Sequence, residues 1–133
     1  MPRRLTVVTV TYNAEQHIAA MLDSLDRSSV AVDSVIAVDN GSHDQTRQVL
    51  SETSWVQLIE QRNTGYAHGV NTGIDASPAK HDVLVLNPDV VVGPTAIERM
   101  LAVLDDRDEV AVVVPMLVDD AKVLPSLRRR PVW

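Results

Sequence analysis

The chain has 133 residues, no cysteine and a formal charge of −6, with 45% hydrophobic content. That is enough chain for one domain with its own core, and the missing cysteines exclude a disulfide framework, a thiolate metal site and a cysteine nucleophile. Scattered Lys and Arg, no Phe, two Tyr and two Trp argue against a nucleic-acid footprint, which needs a basic patch and stacking aromatics.

The amino terminus carries Arg3-Arg4 and then a short apolar run, Leu5 to Val10, too short for a signal h-region or a membrane span. A cytoplasmic protein without a transmembrane segment is the expectation. The run is β-branched and nearly continuous, so it predicts a strand buried on both faces. Asn13 stands where it can cap a following helix, with Gln16 as its capping-box partner and Ile18, Met21, Leu22 and Leu25 on one helical face.

The pattern repeats along the chain. Val35 to Val38 predicts a second strand, and Asp39-Asn40-Gly41-Ser42 a turn into a polar helix from about Asp44 to Glu52. Val56 to Ile59 is a third strand. After Arg62-Asn63-Thr64-Gly65, a helix from Tyr66 to about Ala76 stacks Tyr66, Val70 and Ile74, while Gly69 and Gly73 permit close approach to a sheet or ligand. Val83 to Leu86 is a fourth strand, and Gly93-Pro94-Thr95 introduces a helix carrying Ile97, Met100, Leu101 and Leu104. Val110 to Val114 predicts a fifth strand, stopped by Pro115. Met116 to Val118 and Lys122 to Leu124 flank Asp119-Asp120 as a hairpin, and Arg128-Arg129-Arg130 reads as solvated charge or membrane-surface contact. Strands alternating with helices predict an α/β fold: a doubly wound, mostly parallel sheet with helices on both faces.

In such a sheet, ligands bind in the crevice beyond the carboxyl ends of the strands, and two apolar runs here end in acidic tripeptides. Asp39 follows the second strand; a carboxylate there can accept the imide hydrogen of uracil or thymine, or it can simply make an Asx-turn. Asp89 follows the fourth strand within Asn87-Pro88-Asp89, where with the Asn87 carbonyl it can anchor Mg2+ or Mn2+, or again only turn the chain. Tyr12 and Asn13 can pack on or hydrogen-bond a base, and Arg62, Asn63 and Gly65 can approach a diphosphate, although a cap and a solvated loop explain them equally. Both acids are expected to look into one cleft. His17, His43, His68 and His81 fall on separate elements without zinc spacing, and Ser42 lacks a Gly-x-Ser-x-Gly elbow.

Four motifs in order, Val8 to Asn13, Val38-Asp39-Asn40-Gly41-Ser42 through Thr46, Asn63-Thr64-Gly65 through Gly73, and Leu86-Asn87-Pro88-Asp89, resemble the nucleotide-sugar half of family 2 glycosyltransferases with the GT-A, Rossmann-like fold. The resemblance covers about residues 5 to 118 and implies a donor site for a nucleotide-diphosphosugar, dTDP- or UDP-linked. On that resemblance Thr11, Tyr12 and Asn13 border base and ribose, Asp39 reads the pyrimidine imide, and Arg62, Asn63, Gly65 and Asn87 line the nucleotide crevice. Asp89 then holds a divalent cation, Mg2+ or Mn2+. Asn87 stands where the family usually has a first Asp, one negative charge fewer. Asn-Pro-Asp and the stretch Pro125 to Pro131 are similar to rhamnosyltransferase-like members, which implies a rhamnose donor and a cell-surface glycan or glycolipid acceptor at the inner face of the membrane.

The resemblance divides the chain into a nucleotide-sugar-binding half, 1–118, and a hairpin or extended tail, 119–133, leading toward an acceptor region that lies beyond Trp133. The family's general base, which permits inversion, is expected there as well, so the chain alone is expected to be inactive and to self-associate through exposed apolar surface. None of Asp105, Asp106, Asp108, Glu109, Asp119 and Asp120 is assigned the base role. A degenerate nucleotide-binding or partner-docking module is the alternative. A dehydrogenase is disfavoured because Tyr12-Asn13-Ala14-Glu15 replaces Gly-x-Gly-x-x-Gly after the first strand, and a phospho-acceptor domain lacks its acids there.

Overall fold

The computed structural model of the chain describes residues 3–119 and 122–124. Strands β1 (Leu5–Thr11), β2 (Ser34–Asp39), β3 (Val56–Glu60) and β4 (Asp82–Val85) form one all-parallel sheet in the order β3-β2-β1-β4. Helices α1 (Ile18–Asp26), α2 (Thr46–Glu52), α3 (Tyr66–Asp75) and α4 (Ala96–Asp106) alternate with the strands. The chain winds outward from β1 to β3, then crosses back to place β4 on the other side of β1. That reversal makes the ends of β1 and β4 a topological switch point.

Strand parity divides the core. Leu5, Val7, Val35 and Ala37 face α1, α2 and α4, packing on Ile18, Met21, Leu22, Leu25, Leu50 and Ile97. Val10, Ile36 and Val38 face the opposite way, packing with Ile59 and with Val70 of α3. Every residue of β1 is buried, as its uninterrupted apolar and β-branched run requires of a central strand. On the α3 face the helix lies hard against the sheet: a Cβ at Gly69 would stand 2.8 Å from Val10 Cγ1, and one at Gly73 would overlap Val8 Cγ1. The two glycines thus give the helix its approach despite their cost to helix propensity.

Three elements differ from the sequence expectation. Asn13 does not cap α1: it adopts φ +51°, which asparagine tolerates, and its side chain accepts a hydrogen bond from the His43 amide instead. The first turn is closed by the Ala14 carbonyl, which accepts from the amides of His17 and Ile18. The second helix begins at Thr46, because the Asp44 side chain binds the Thr46 amide and hydroxyl and so ends the turn there. Residues 110–114 form no strand, since β propensity needs a ladder partner and none of the described strands pairs with them. Instead Ala111, Val112 and Val113 lie along a small apolar recess with Val83, Leu84, Ile97, Met100, Leu101 and Leu104. The expected hairpin is present as β5 (Leu117–Asp119) and β6 (Lys122–Leu124), paired antiparallel. The expectations for Arg128 to Arg130 and for Pro125 to Pro131 lie outside the described residues.

Candidate functional site

An open cleft of about 410 Å³ lies at the carboxyl ends of the strands. Its walls come from the β1 end (Val10, Thr11, Tyr12, Asn13, Ala14 and His17), the β2 end (Asn40), the segment after β3 (Asn63, Tyr66) and the β4 end (Asn87, Pro88, Asp89). With neighbouring strands about 4.8 Å apart, the tips of β2 and β4 are separated by roughly 10 Å, so one extended ligand can touch both. Among the expected site residues, Thr11, Tyr12, Asn13, Asn63, Asn87 and Asp89 come together here. Arg62 and Gly65 are exposed and stand outside the lining, although the Gly65 carbonyl accepts from Asn40 Nδ2 at 3.3 Å.

Asp39 is not in the cleft, which corrects the expectation that both acids look into it. It pairs in register with Thr11, and this parity turns its side chain toward the face of Val35 and Ala37, where it is fully buried. Four donors surround the carboxylate: the Thr11 hydroxyl at 2.9 Å, the Gly41 and Ser42 amides at 3.1 and 2.8 Å, and the Ser42 hydroxyl. Arg47 approaches from outside at 3.9 Å and also lies 3.6 Å from Glu60. A carboxylate so enclosed has its acceptor positions committed and is a structural anchor for the β2 loop. The next residue has the opposite parity, and so Asn40, 3% exposed, lines the cleft in its place. The alternation of side chains along a strand was the signal that could have found it.

The cleft's β1 wall is sewn to the β2 loop. Asn13 N donates to Ser42 Oγ at 2.9 Å, His43 N to Asn13 Oδ1 at 2.8 Å, Ala14 N to Thr46 Oγ1 at 2.8 Å, and Glu15 N to Asp44 Oδ2 at 3.1 Å. Glu15 answers by accepting from Gln45 N at 2.8 Å. Partial burial pushes the Asp44 carboxyl up, but the bonds from the Thr46 hydroxyl and amide and from the Glu15 amide outweigh it and hold the group below its ordinary value. Across the cleft the Tyr66 hydroxyl donates to Asn87 Oδ1 at 2.8 Å, and desolvation raises the phenol pKa above its ordinary 10.0.

No cluster of three or more His, Asp or Glu side chains suited to a metal ion occurs among the described residues. Among the described residues, Asp89 is the one carboxylate lining the cleft. Mg2+ and Mn2+ commonly take one or two carboxylates and complete their shells with water and substrate phosphates, so Asp89 fits as the protein's share of such a site. Asn87 Oδ1, already bonded to Tyr66, adds at most a second oxygen.

The sequence from residue 6 to residue 132 matches the family model described as glycosyl transferase family 2. The chain belongs to that family. N-acetylglucosaminyl-diphospho-decaprenol L-rhamnosyltransferase of Mycobacterium tuberculosis is 34% identical over 140 aligned residues, covering 96% of this chain and 46% of the relative. The family 2 chain therefore spans about half the length of that curated relative.

Solved structures agree in fold. Staphylococcus aureus TarS 1–349 in complex with UDP-GlcNAc superposes with a TM-score of 0.76 at 21% identity, covering 92% of this chain and 37% of that one. Glucosyl-3-phosphoglycerate synthase of M. tuberculosis, in complex with Mn2+, UDP and glucosyl-3-phosphoglycerate, gives 0.63 at 21% identity, covering 77% and 39%. The fold is the GT-A, Rossmann-like one. No helix among the described residues is long and apolar enough to cross a membrane.

Proposed function

We propose that this chain is the donor-binding portion of a glycosyltransferase that moves a sugar, rhamnose first among candidates, from a pyrimidine nucleoside-diphosphate sugar to a cell-surface glycan or glycolipid, with inversion. The observation that carries the reading is the single cleft in which Tyr12 and Asn13 of the β1 end oppose Asn87, Pro88 and Asp89 of the β4 end. The named activity of the mycobacterial rhamnosyltransferase supports the sugar and acceptor class, and the UDP, UDP-GlcNAc and Mn2+ in the solved structures support the donor class and the cation.

In this reading Tyr12, Asn13 and Asn63 hold the nucleoside end, and Asn87 and Asp89 meet the diphosphate end. Asp89 would hold Mg2+ or Mn2+, which when bound neutralises charge growing on the diphosphate as it leaves the anomeric carbon. The loops fixed by Asn13, Ser42, Asp44 and Thr46 keep the nucleoside wall in place before the ligand arrives, so binding orders little chain. Pro88 fixes the backbone between Asn87 and Asp89 and so sets the angle at which both leave the strand tip. The second reading is a nucleotide-binding or partner-docking module without catalysis.

Calorimetry with UDP and dTDP, each with and without Mn2+, tests the donor site on the parent and on Asp89→Ala. Binding that is Mn2+-enhanced in the parent, and weaker and Mn2+-independent in Asp89→Ala, is the expected result. Absence of binding for both nucleotides overturns the donor reading in favour of docking.

A further inference from the structure

His17 holds the cap position of α1, where Ser, Thr, Asp or Asn is the stabilising choice, and its ring makes no capping bond. The backbone closes the turn instead, through the Ala14 carbonyl. The imidazole is left exposed as part of the cleft wall, with neither ring nitrogen bonded to another group among the described residues. Packing fixes its place there. Ile18, the next residue, shares a buried cluster with Leu86, against which Val90 and Val92 also pack, and the Val92 amide donates to Ser24 Oγ of α1 at 3.0 Å. The start of α1 is thereby held against the segment that carries Asn87 and Asp89, whereas Asn40 and Asn63 come from the β2 and β3 ends. The neighbouring Glu15 carboxylate is turned away to the Gln45 amide at 2.8 Å and does not line the cleft.

We propose that His17 binds the diphosphate of the nucleotide, donating a hydrogen bond from its imidazole to an oxygen of the phosphate farther from the nucleoside. The inference rests on the nucleotide-site reading of the cleft. Among the described residues that line it there is no Lys or Arg, since Arg62 stands outside, and His17 is the one basic side chain. A diphosphate carries its charge on several oxygens, and a cation held at Asp89 reaches only some of them. An imidazole N–H on another is a charge-assisted bond, which is stronger than a neutral one. The capping bond that α1 forgoes at this position is the cost of keeping that donor free for a ligand.

The test is the ratio of dissociation constants for UMP and UDP, by calorimetry in Mn2+, on the parent, His17→Ala and His17→Lys, with folding checked by circular dichroism. The parent is expected to prefer UDP. His17→Ala is expected to weaken UDP by about tenfold, the effect of one charge-assisted hydrogen bond, and to leave UMP nearly unchanged. His17→Lys returns a donor that, as an ammonium, cannot ligate a cation, and it is expected to restore most of the UDP affinity. An equal loss for both nucleotides in His17→Ala marks a structural role, an unchanged ratio removes His17 from the diphosphate, and failure of the lysine to rescue makes the imidazole a cation ligand. Each of these overturns the inference and leaves the nucleotide site standing. Binding of neither nucleotide to the parent overturns both.

Discussion

Thr11 and Asp39 face each other across the parallel strands β1 and β2, and the Thr11 hydroxyl donates to the Asp39 carboxylate at 2.9 Å inside the core. The pair closes the sheet at its cleft end, and it converts an acid at a strand tip into a brace for the loop 40–46. Asp39→Ala leaves up to four donors without their acceptor in a buried place. A loss of about 2–4 kcal/mol in unfolding free energy is expected. Urea denaturation measures it, and a change below about 0.5 kcal/mol would place the carboxylate in solvent rather than in this network.

Gly73 has no space for a side chain, because the added Cβ would overlap Val8 Cγ1 on the fully buried β1. Gly73→Ala is expected to destabilise the protein by about 1–3 kcal/mol, although alanine is the better helix former. Thermal unfolding of Gly73→Ala beside an exposed control, Ala67→Gly, separates the two effects. A more stable Gly73→Ala would mean that α3 rides higher on the sheet.

The Asp44 carboxyl, held below its ordinary 3.8 by Thr46 and Glu15, ties stability to pH. A depressed folded-state value means that the contribution is fully present above the unfolded value and is lost as pH falls through the folded one. Urea unfolding of the parent and Asp44→Ala should therefore show a gap that is constant from pH 7 to pH 5 and closes on further acidification. A gap that widens in acid would contradict the assignment.

Tyr66 should titrate above 10.0 in an ultraviolet absorbance titration, since desolvation penalises its phenolate. A pKa raised in this way lowers stability as the pH climbs past the unfolded value, because the folded chain holds the proton more tightly. The high-pH phase should vanish in Tyr66→Phe, and that variant should lose about 0.5–1.5 kcal/mol with the bond to Asn87. Persistence of the phase would overturn its assignment to Tyr66.

Much of the fold was legible in the chain. The buried β1 announced itself by its unbroken Leu5 to Val10 run, α3 by Tyr66, Val70 and Ile74 with its two glycines, and α4 by the spacing of Ile97, Met100, Leu101 and Leu104. Local preference failed where a partner decided the outcome. Asn13 reads as a cap, yet the His43 amide from another loop claims its side chain, and Val110 to Val114 reads as a strand with no strand beside it.

By itself the sequence determined the alternation of strands and helices, the four motifs at successive strand ends and, through them, the family. Those features are encoded by neighbours a few residues apart, where periodicity and turn chemistry act. Only the tertiary structure decided which side chain each strand end delivers to the cleft. A residue's face depends on the register of β1 against β2 and on the hydrogen bonds that loops from distant positions make, so Asp39 went inward to Thr11 and Ser42 while Asn40 turned toward the cleft.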